Sequence, residues 1–154
     1  MNEIETNRPE ANRHDNKISI SMESKSQNEF LARTIVAAFI APIDPDINDL
    51  TDIKTAISEA VTNAVIHGYK NGEGQIELTM TLKNGELHVI VTDYGVGISN
   101  ISKAREPMFT TLAEIDHAGM GFTVMEKFMD TVTVTSDLGK GTTVEMYKKL
   151  TKDL

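Results

Sequence analysis

Hydrophobic positions follow a helical period between residues 53 and 68. Apolar residues recur at spacings of three and four, at Ile53, Ala56, Ile57, Ala60, Val61, Ala64 and Val65. This spacing predicts an amphipathic helix that buries one face and ends at Gly68. Glu59, Asn63 and His67 stand four residues apart at the edge of the apolar stripe, where a polar row is expected to line a cleft.

Two more helices are predicted on either side of this one. Ser26 is expected to cap the first helix, with Glu29 as its capping-box partner, and the helix stops before Pro42. The residues expected to be buried on it are Phe30, Leu31, Thr34, Ile35 and Ala38. The helix that contains residues 53–68 is the second in the chain, and Asn48 or Asp49 is its expected N-terminal cap. The third opens at Gly119 and runs to about Met129.

Alternating apolar and polar residues predict five strands, at residues 17–22, 75–82, 87–92, 131–135 and 142–148. The Lys83-Asn84-Gly85-Glu86 sequence predicts a hairpin between the second and third. The order β-α-α-β-β-α-β-β predicts an α+β fold, a two-layer α/β sandwich whose mixed, mostly antiparallel sheet has its helices on one face. Residues 17–150 are expected to form a single domain after a flexible leader at residues 1–16.

Composition narrows the function classes. A net charge of −8 argues against direct binding of nucleic acid, which depends on clustered Lys and Arg. The absence of cysteine excludes thiol catalysis and disulfides. No apolar stretch has the length of a membrane span, and the N-terminus lacks a signal-peptide core, so we expect a cytoplasmic protein without a membrane partner.

Two glycine motifs predict ligand contacts. Asp93-Tyr94-Gly95-Val96-Gly97 follows a strand, where its glycines let a ligand approach the backbone and its carboxylate can accept from an exocyclic amine. The same pattern also occurs in ordinary turns. Gly119-x-Gly121 opens a helix, where free N–H groups favour a phosphate, although it could equally be a simple helix entry.

The polar row on the central helix suits phosphoryl transfer. Glu59 can orient or deprotonate a nucleophile, and the amide oxygen of Asn63 can ligate Mg²⁺ beside phosphates. The alternative for this pair is a solvated helix flank. A single histidine beside an apolar stripe, such as His67, is more often a hydrogen-bonded packing residue than a catalyst.

The motifs become specific in combination. Glu59-x-x-x-Asn63, Asp93-x-Gly-x-Gly, Gly119-x-Gly121 and Gly141-Thr142 occur in this order. The set resembles the ATP-binding fold shared by DNA gyrase B, Hsp90, sensor histidine kinases and MutL, the GHKL group. The sequences E-A-V-T-N-A-V-I-H-G, P-M-F-T-T and G-M-G-F-T-V-M-E-K-F-M-D are similar to sporulation anti-sigma factors that are also serine kinases. This resemblance covers residues 17–149.

The resemblance implies ATP and Mg²⁺ as cofactors. It makes Glu59 the general base, Asn63 the Mg²⁺ ligand and Asp93 the reader of the adenine amino group, with Thr142 in support of Asp93. The other nucleotide contacts that it implies are His67, Gly95, Gly97, Ile98, Arg105, Thr110, Thr111, His117, Gly119, Met120, Gly121 and Phe122.

One position departs from the family pattern. Relatives commonly carry an arginine two residues before the first glycine of Gly-Met-Gly-Phe, and His117 stands there in this chain. A neutral imidazole supplies less charge to a γ-phosphate than a guanidinium does. Arg105, at the start of a lid implied at residues 105–118, or a lysine is expected to contribute instead.

The resemblance also implies protein partners. The first helix, including Glu29 and Arg33, would face these partners. They are a sigma factor of the sigma F type and an anti-anti-sigma protein that would accept the phosphate on a serine. A homodimer through the first strand and helix is implied as well. The alternatives are a stress-type anti-sigma kinase for another sigma factor and a nucleotide-dependent adaptor without catalysis.

Overall fold

The computed structural model describes residues 13–99 and 121–150. Within these ranges, eight regular elements follow one another in the predicted order: β1 (Asn16–Glu23), α1 (Gln27–Ile40), α2 (Ile47–Asn63), β2 (Gln75–Lys83), β3 (Glu86–Asp93), α3 (Gly121–Phe128), β4 (Thr131–Asp137) and β5 (Gly141–Lys149). A short 3₁₀ segment, Ala41–Ile43, follows α1, and a π-helical turn, Ala64–Gly68, follows α2. The predicted α+β fold is confirmed.

The five strands form one sheet in the order β1-β2-β3-β5-β4. All four neighbouring pairs are antiparallel, so the expectation of a mixed sheet is wrong for the described strands. The predicted hairpin joins β2 to β3 through Asn84 and Gly85, whose φ angles are both positive at 52° and 76°. Such a turn has the twist that antiparallel neighbours require.

The core lies between one face of the sheet and the helices. Alternate residues of the central strands are buried: Ile76, Leu78, Met80, Leu82, Leu87, Val89 and Val91. The predicted apolar stripe of α2 is buried as expected, and α2 packs between α1 and α3. None of the helices within residues 13–99 and 121–150 is long and apolar enough to cross a membrane.

The expected buried face of α1 is wrong except at Ile35, which is half-buried and packs against the core. The helix buries Ala32, Val36, Phe39 and Ile40, whereas Phe30 and Leu31 are 65% and 45% exposed. Both rows of side chains have helical spacing, so periodicity alone does not decide which one packs against the core. The capping box is also absent: the Ser26 side chain makes no cap hydrogen bond. The Glu29 carboxylate instead accepts from the Ser58 hydroxyl on α2.

Both ends of α2 differ from the prediction. Asp46, rather than Asn48 or Asp49, caps the helix by accepting a 2.8 Å hydrogen bond from the Asn48 amide. The regular α-helix ends at Asn63, and the amide of Tyr69 then donates to the carbonyl of Ala64, a spacing of five residues at 3.0 Å. A π turn rotates less per residue than an α-helix, so His67 is not stacked in register above Glu59 and Asn63.

Candidate functional site

Two glycines enclose Asp93 at the end of β3. Asp93 is buried, at 6% exposure. A Cβ at Gly68, the last residue of the π turn, would lie 2.7 Å from Asp93 Cγ. A Cβ at Gly141, the first residue of β5, would lie 2.0 Å from the Asp93 carbonyl oxygen, and the φ of Gly141 is +110°. A side chain at either glycine would displace Asp93 or its backbone.

The charge of Asp93 depends on two opposing effects. Burial raises the pKa of the carboxyl above its ordinary value of 3.8, and this effect is the largest. Hydrogen bonds from the backbone amides of Gly95, at 3.0 Å, and Thr142 lower the pKa. The same two amides fix the orientation of the carboxylate, which makes it a positioned hydrogen-bond acceptor.

The loop after β3 packs against two other backbones. A Cβ at Gly95 would lie 1.9 Å from the Gly68 carbonyl oxygen, and this oxygen accepts a 2.9 Å hydrogen bond from the amide of Val96. A Cβ at Gly97, whose φ is +75°, would lie 2.2 Å from the carbonyl oxygen of Asp137. Both motif glycines are therefore required for close backbone approach.

Ser136 joins this loop to β5. Its Oγ accepts from the amide of Ile98 at 2.7 Å and donates to the carbonyl of Gly141 at 2.9 Å. It also lies 2.9 Å from the hydroxyl of Thr142, which is 8% exposed. Ser136, which the sequence motifs do not include, thus joins the predicted residues Ile98 and Thr142. Thr142 in turn lies opposite Asp93 in the β3–β5 pair.

A second cluster forms where α2 meets the start of α3. A Cβ at Gly121 would lie 2.8 Å from Asn63 Nδ2 and 3.1 Å from Asn63 Oδ1. Asn63 Oδ1 is buried and has no hydrogen-bond partner among the residues that the structure describes. Such an oxygen is costly to bury without a ligand, and amide oxygens suit Mg²⁺.

The side chains around Asn63 fit a metal ion that is held mainly by phosphates and water. Within the described ranges, no group of three or more His, Asp or Glu side chains is placed so that it could hold a metal ion. Mg²⁺ usually retains water and binds substrate phosphates beside one or two protein ligands. Asn63 would then be the protein ligand, and phosphates and water would complete the coordination.

Glu59 and His67 have different positions relative to Asn63. Glu59 precedes Asn63 by one turn of the α-helix, so the two side chains share a side of α2. His67 lies in the π turn and is half-buried. Phe122 on α3 is 4% exposed and belongs to the hydrophobic core. The predicted contacts Arg105, Thr110, Thr111, His117, Gly119 and Met120 lie outside the described residues.

The predicted partner residues lie together between α1 and α2. Arg33 is 3.1 Å from the carboxylate of Glu29 and stacks over the ring of Phe30, 5.4 Å from its centroid. Beside them is a cavity of about 260 Å³, lined by Arg33, Thr51, Lys54, Thr55 and Ser58. Since Ser58 precedes Glu59, this surface and the candidate base share one helix.

Two residues of the site, Gly68 and Ser136, are not predicted from the sequence. The sequence predicts Gly68 only as a helix end, although the structure places it against the Asp93 carboxylate. Ser136 lies in a Thr-rich strand without any motif of its own, so the sequence carries no signal that would have found it.

A five-stranded antiparallel sheet with helices on one face, and a buried aspartate held by glycines at a strand end, define a two-layer α/β sandwich with a candidate ligand site at the end of β3. The sequence model described as the histidine kinase-like ATPase domain matches residues 22–148. The chain belongs to this family.

Named relatives are similar over most of their length. The anti-sigma F factor of Geobacillus sp. (strain WCH70) is 50% identical over 138 residues, 89% of this chain and 94% of the relative. The anti-sigma F factor of Clostridium kluyveri (strain ATCC 8527) is 51% identical over 135 residues, 88% of this chain and 95% of the relative.

Two solved structures share the fold. The RsbU and RsbW domains of Rv1364c from Mycobacterium tuberculosis superpose with a TM-score of 0.65 at 23% identity, covering 90% of this chain and 33% of the other. The catalytic domain of the histidine kinase ThkA superposes with a TM-score of 0.56 at 18% identity, covering 85% and 96%. At these identities the likeness concerns the fold alone.

Proposed function

We propose that this protein is an anti-sigma factor and an ATP-dependent protein serine kinase. It would bind and inhibit a sigma factor of the sigma F type and phosphorylate a serine of an anti-anti-sigma protein. The observation that carries this proposal is the 50% identity to a protein named anti-sigma F factor over 89% of the chain. The geometry around Asn63 and Glu59 supports the kinase part.

Each group at the site has a chemical task in this proposal. The Asp93 carboxylate would accept a hydrogen bond from the adenine amino group. Asn63 Oδ1 would hold Mg²⁺, and the amides at the start of α3 would bind phosphate oxygens. Mg²⁺, when bound, neutralises charge on the phosphates.

Glu59 would act on the acceptor protein. Its carboxylate would take the proton of a serine hydroxyl while the serine oxygen forms a bond to the γ-phosphorus. The bond from this phosphorus to the β,γ-bridging oxygen breaks, and ADP leaves. Glu59 follows Ser58, which contacts the surface of Glu29 and Arg33, so a protein docked there would lie against the helix that carries the base.

Glu59→Gln tests the catalytic part of the proposal. We expect phosphorylation of the acceptor to fall by about a hundredfold or more, because the variant lacks the proton acceptor. Affinity for Mg-ATP should stay within a few-fold of the wild type. The measurement is the intact mass of a candidate anti-anti-sigma protein after incubation with Mg-ATP, which rises by one phosphate on serine.

The matched control is Glu73→Gln, which makes the same change at an exposed position. Phosphorylation at the wild-type rate by the Glu59 variant would remove the general-base role. If the wild type binds Mg-ATP and a sigma factor but adds no phosphate to the acceptor, the non-catalytic adaptor is the correct function.

The surface of α1 supports the proposed partners and a homodimer. Phe30 and Leu31 present apolar area to solvent next to Arg33 and Glu29. Strand β1 forms one edge of the sheet. An exposed apolar patch rimmed by charges is typical of a protein interface.

A further inference from the structure

The directions of the Ser136 and Thr142 hydroxyl protons can be assigned from the number of hydrogen-bond donors and acceptors around them. A serine hydroxyl has one proton to donate and two lone pairs to accept with. The amide of Ile98 can only donate to Ser136 Oγ, at 2.7 Å, and the carbonyl of Gly141 can only accept from it, at 2.9 Å. The single proton of Ser136 is thereby directed to Gly141, so its remaining lone pair accepts the proton of Thr142, 2.9 Å away.

This assignment fixes the polarity of Thr142. Its proton faces Ser136, so the oxygen has only lone pairs left for another group. Thr142 lies directly opposite Asp93 in the β3–β5 pair. Side chains of directly opposed residues lie on the same face of a sheet with their Cβ atoms about 5 Å apart. Two acceptors, the Asp93 carboxylate and the Thr142 hydroxyl oxygen, therefore lie side by side.

We propose that Ser136 is a specificity-determining residue of the nucleotide site: by holding the Thr142 hydroxyl as an acceptor beside Asp93, it selects a 6-amino purine over a 6-oxo purine. This inference rests on the proposed binding of ATP. An exocyclic amino group has two protons to donate to these acceptors. A carbonyl oxygen at the same place would meet lone pairs and leave both acceptors unpaired, which is strongly unfavourable in a buried site.

The test compares ADP with IDP, which carries a carbonyl in place of the adenine amino group. Calorimetry gives the dissociation constants for the wild type, Ser136→Ala and Ser136→Thr. We expect the wild type to prefer ADP by about a hundredfold or more. In Ser136→Ala the Thr142 proton is free to turn toward a carbonyl, so the preference should fall about tenfold. Ser136→Thr keeps a hydroxyl at this position and should therefore show the wild-type preference for ADP.

A general loss of packing in the pocket would have a different effect on nucleotide affinity. It would weaken ADP and IDP by the same factor and leave their ratio unchanged, which would overturn the inference. Thr133→Ala, on the exposed face of the same strand, is the matched control and should keep the wild-type ratio.

A second variant protects the test against a folding failure of Ser136→Ala. Thr142→Val removes the hydroxyl that Ser136 is inferred to orient, so the ADP preference should fall in this variant too. A full preference in Thr142→Val would contradict the inference. Failure of the wild type to bind ADP at all would instead overturn the proposed nucleotide function, so the two proposals fail in distinguishable ways.

Discussion

Burial of Asp93 has opposite consequences for stability and for ligand binding. The folded protein holds the proton of this carboxyl more tightly than the unfolded chain does, because its pKa is raised above 3.8. The contribution of Asp93 to the free energy of unfolding is therefore most favourable below that value and declines as the pH rises through the folded pKa. A ligand amino group, however, needs the ionised form as its acceptor.

Asp93→Asn separates the two effects. At neutral pH the variant avoids the cost of a buried charge, so we expect a melting temperature no lower than that of the wild type. Affinity for ADP should fall about tenfold or more, because the amide is a weaker acceptor than the carboxylate. Wild-type affinity should also fall with decreasing pH, beginning above the ordinary range of an aspartate, whereas that of the variant should not follow this titration.

Thermal denaturation without nucleotide and calorimetry across pH make these measurements. Asp44→Asn, at an exposed turn, is the control for loss of one negative charge. Normal ADP affinity in the Asp93 variant would show that Asp93 does not read the base.

At the scale of elements, strands were easier to predict than helix faces. A half-buried strand has one possible inner face once its alternation is known, and the Asn84-Gly85 turn fixed the register of β2 and β3. Helix α1 carries two apolar rows, and only packing against α2 and the sheet decides which is buried. The π turn could not be predicted from the sequence, because the apolar spacing continues through Ala64 and Val65 as in an α-helix.

The glycines at element ends should respond differently to alanine. A Cβ at Gly121 would meet the end of the flexible Asn63 side chain, which can move away. We expect Gly121→Ala to fold but to require more Mg²⁺ for nucleotide binding. A Cβ at Gly95 would meet the backbone carbonyl of Gly68, so Gly95→Ala should lower the free energy of unfolding by about 2 kcal/mol or more.

Urea denaturation and Mg²⁺ titration of ADP binding compare the two variants. Gly139→Ala is a useful third variant: its added Cβ meets no atom within 4 Å, although its φ of +81° alone carries a strain cost. Equal losses of stability at Gly95 and Gly139 would contradict the steric explanation for Gly95.

At the scale of the molecule, the proposed partner residues Glu29 and Arg33 lie on α1, whereas the proposed Mg²⁺ ligand Asn63 is the last residue of α2. The motif residues Asp93, Ile98 and Thr142 could be predicted because a known pattern contains them. Gly68 and Ser136 could not, since their role arises only when the π turn and β4 pack against the end of β3. Local sequence carries no record of such tertiary neighbours.

Arg33→Ala tests the separation of the two surfaces. The change removes the ion pair with Glu29 and the contact with Phe30, so we expect binding of the sigma factor to weaken about tenfold or more. Affinity for ADP should be unchanged. Gel filtration and calorimetry with a sigma F type protein measure the first effect, and Lys25→Ala, another cation near the start of α1, is the matched control. An intact sigma complex would exclude this surface.

The π turn at Ala64–Gly68 makes chain length, as distinct from side-chain identity, a determinant of the site. A π turn contains one residue more than the α-helical turn it replaces. Deleting one residue there would let α2 continue as a regular helix. The position of Gly68 about the helix axis would then change by about 100° relative to Asn63. Gly68 would then no longer lie against Asp93. Substitutions at Ile66 preserve the angular position of Gly68 relative to Asn63, whereas insertions and deletions between Asn63 and Gly68 change it.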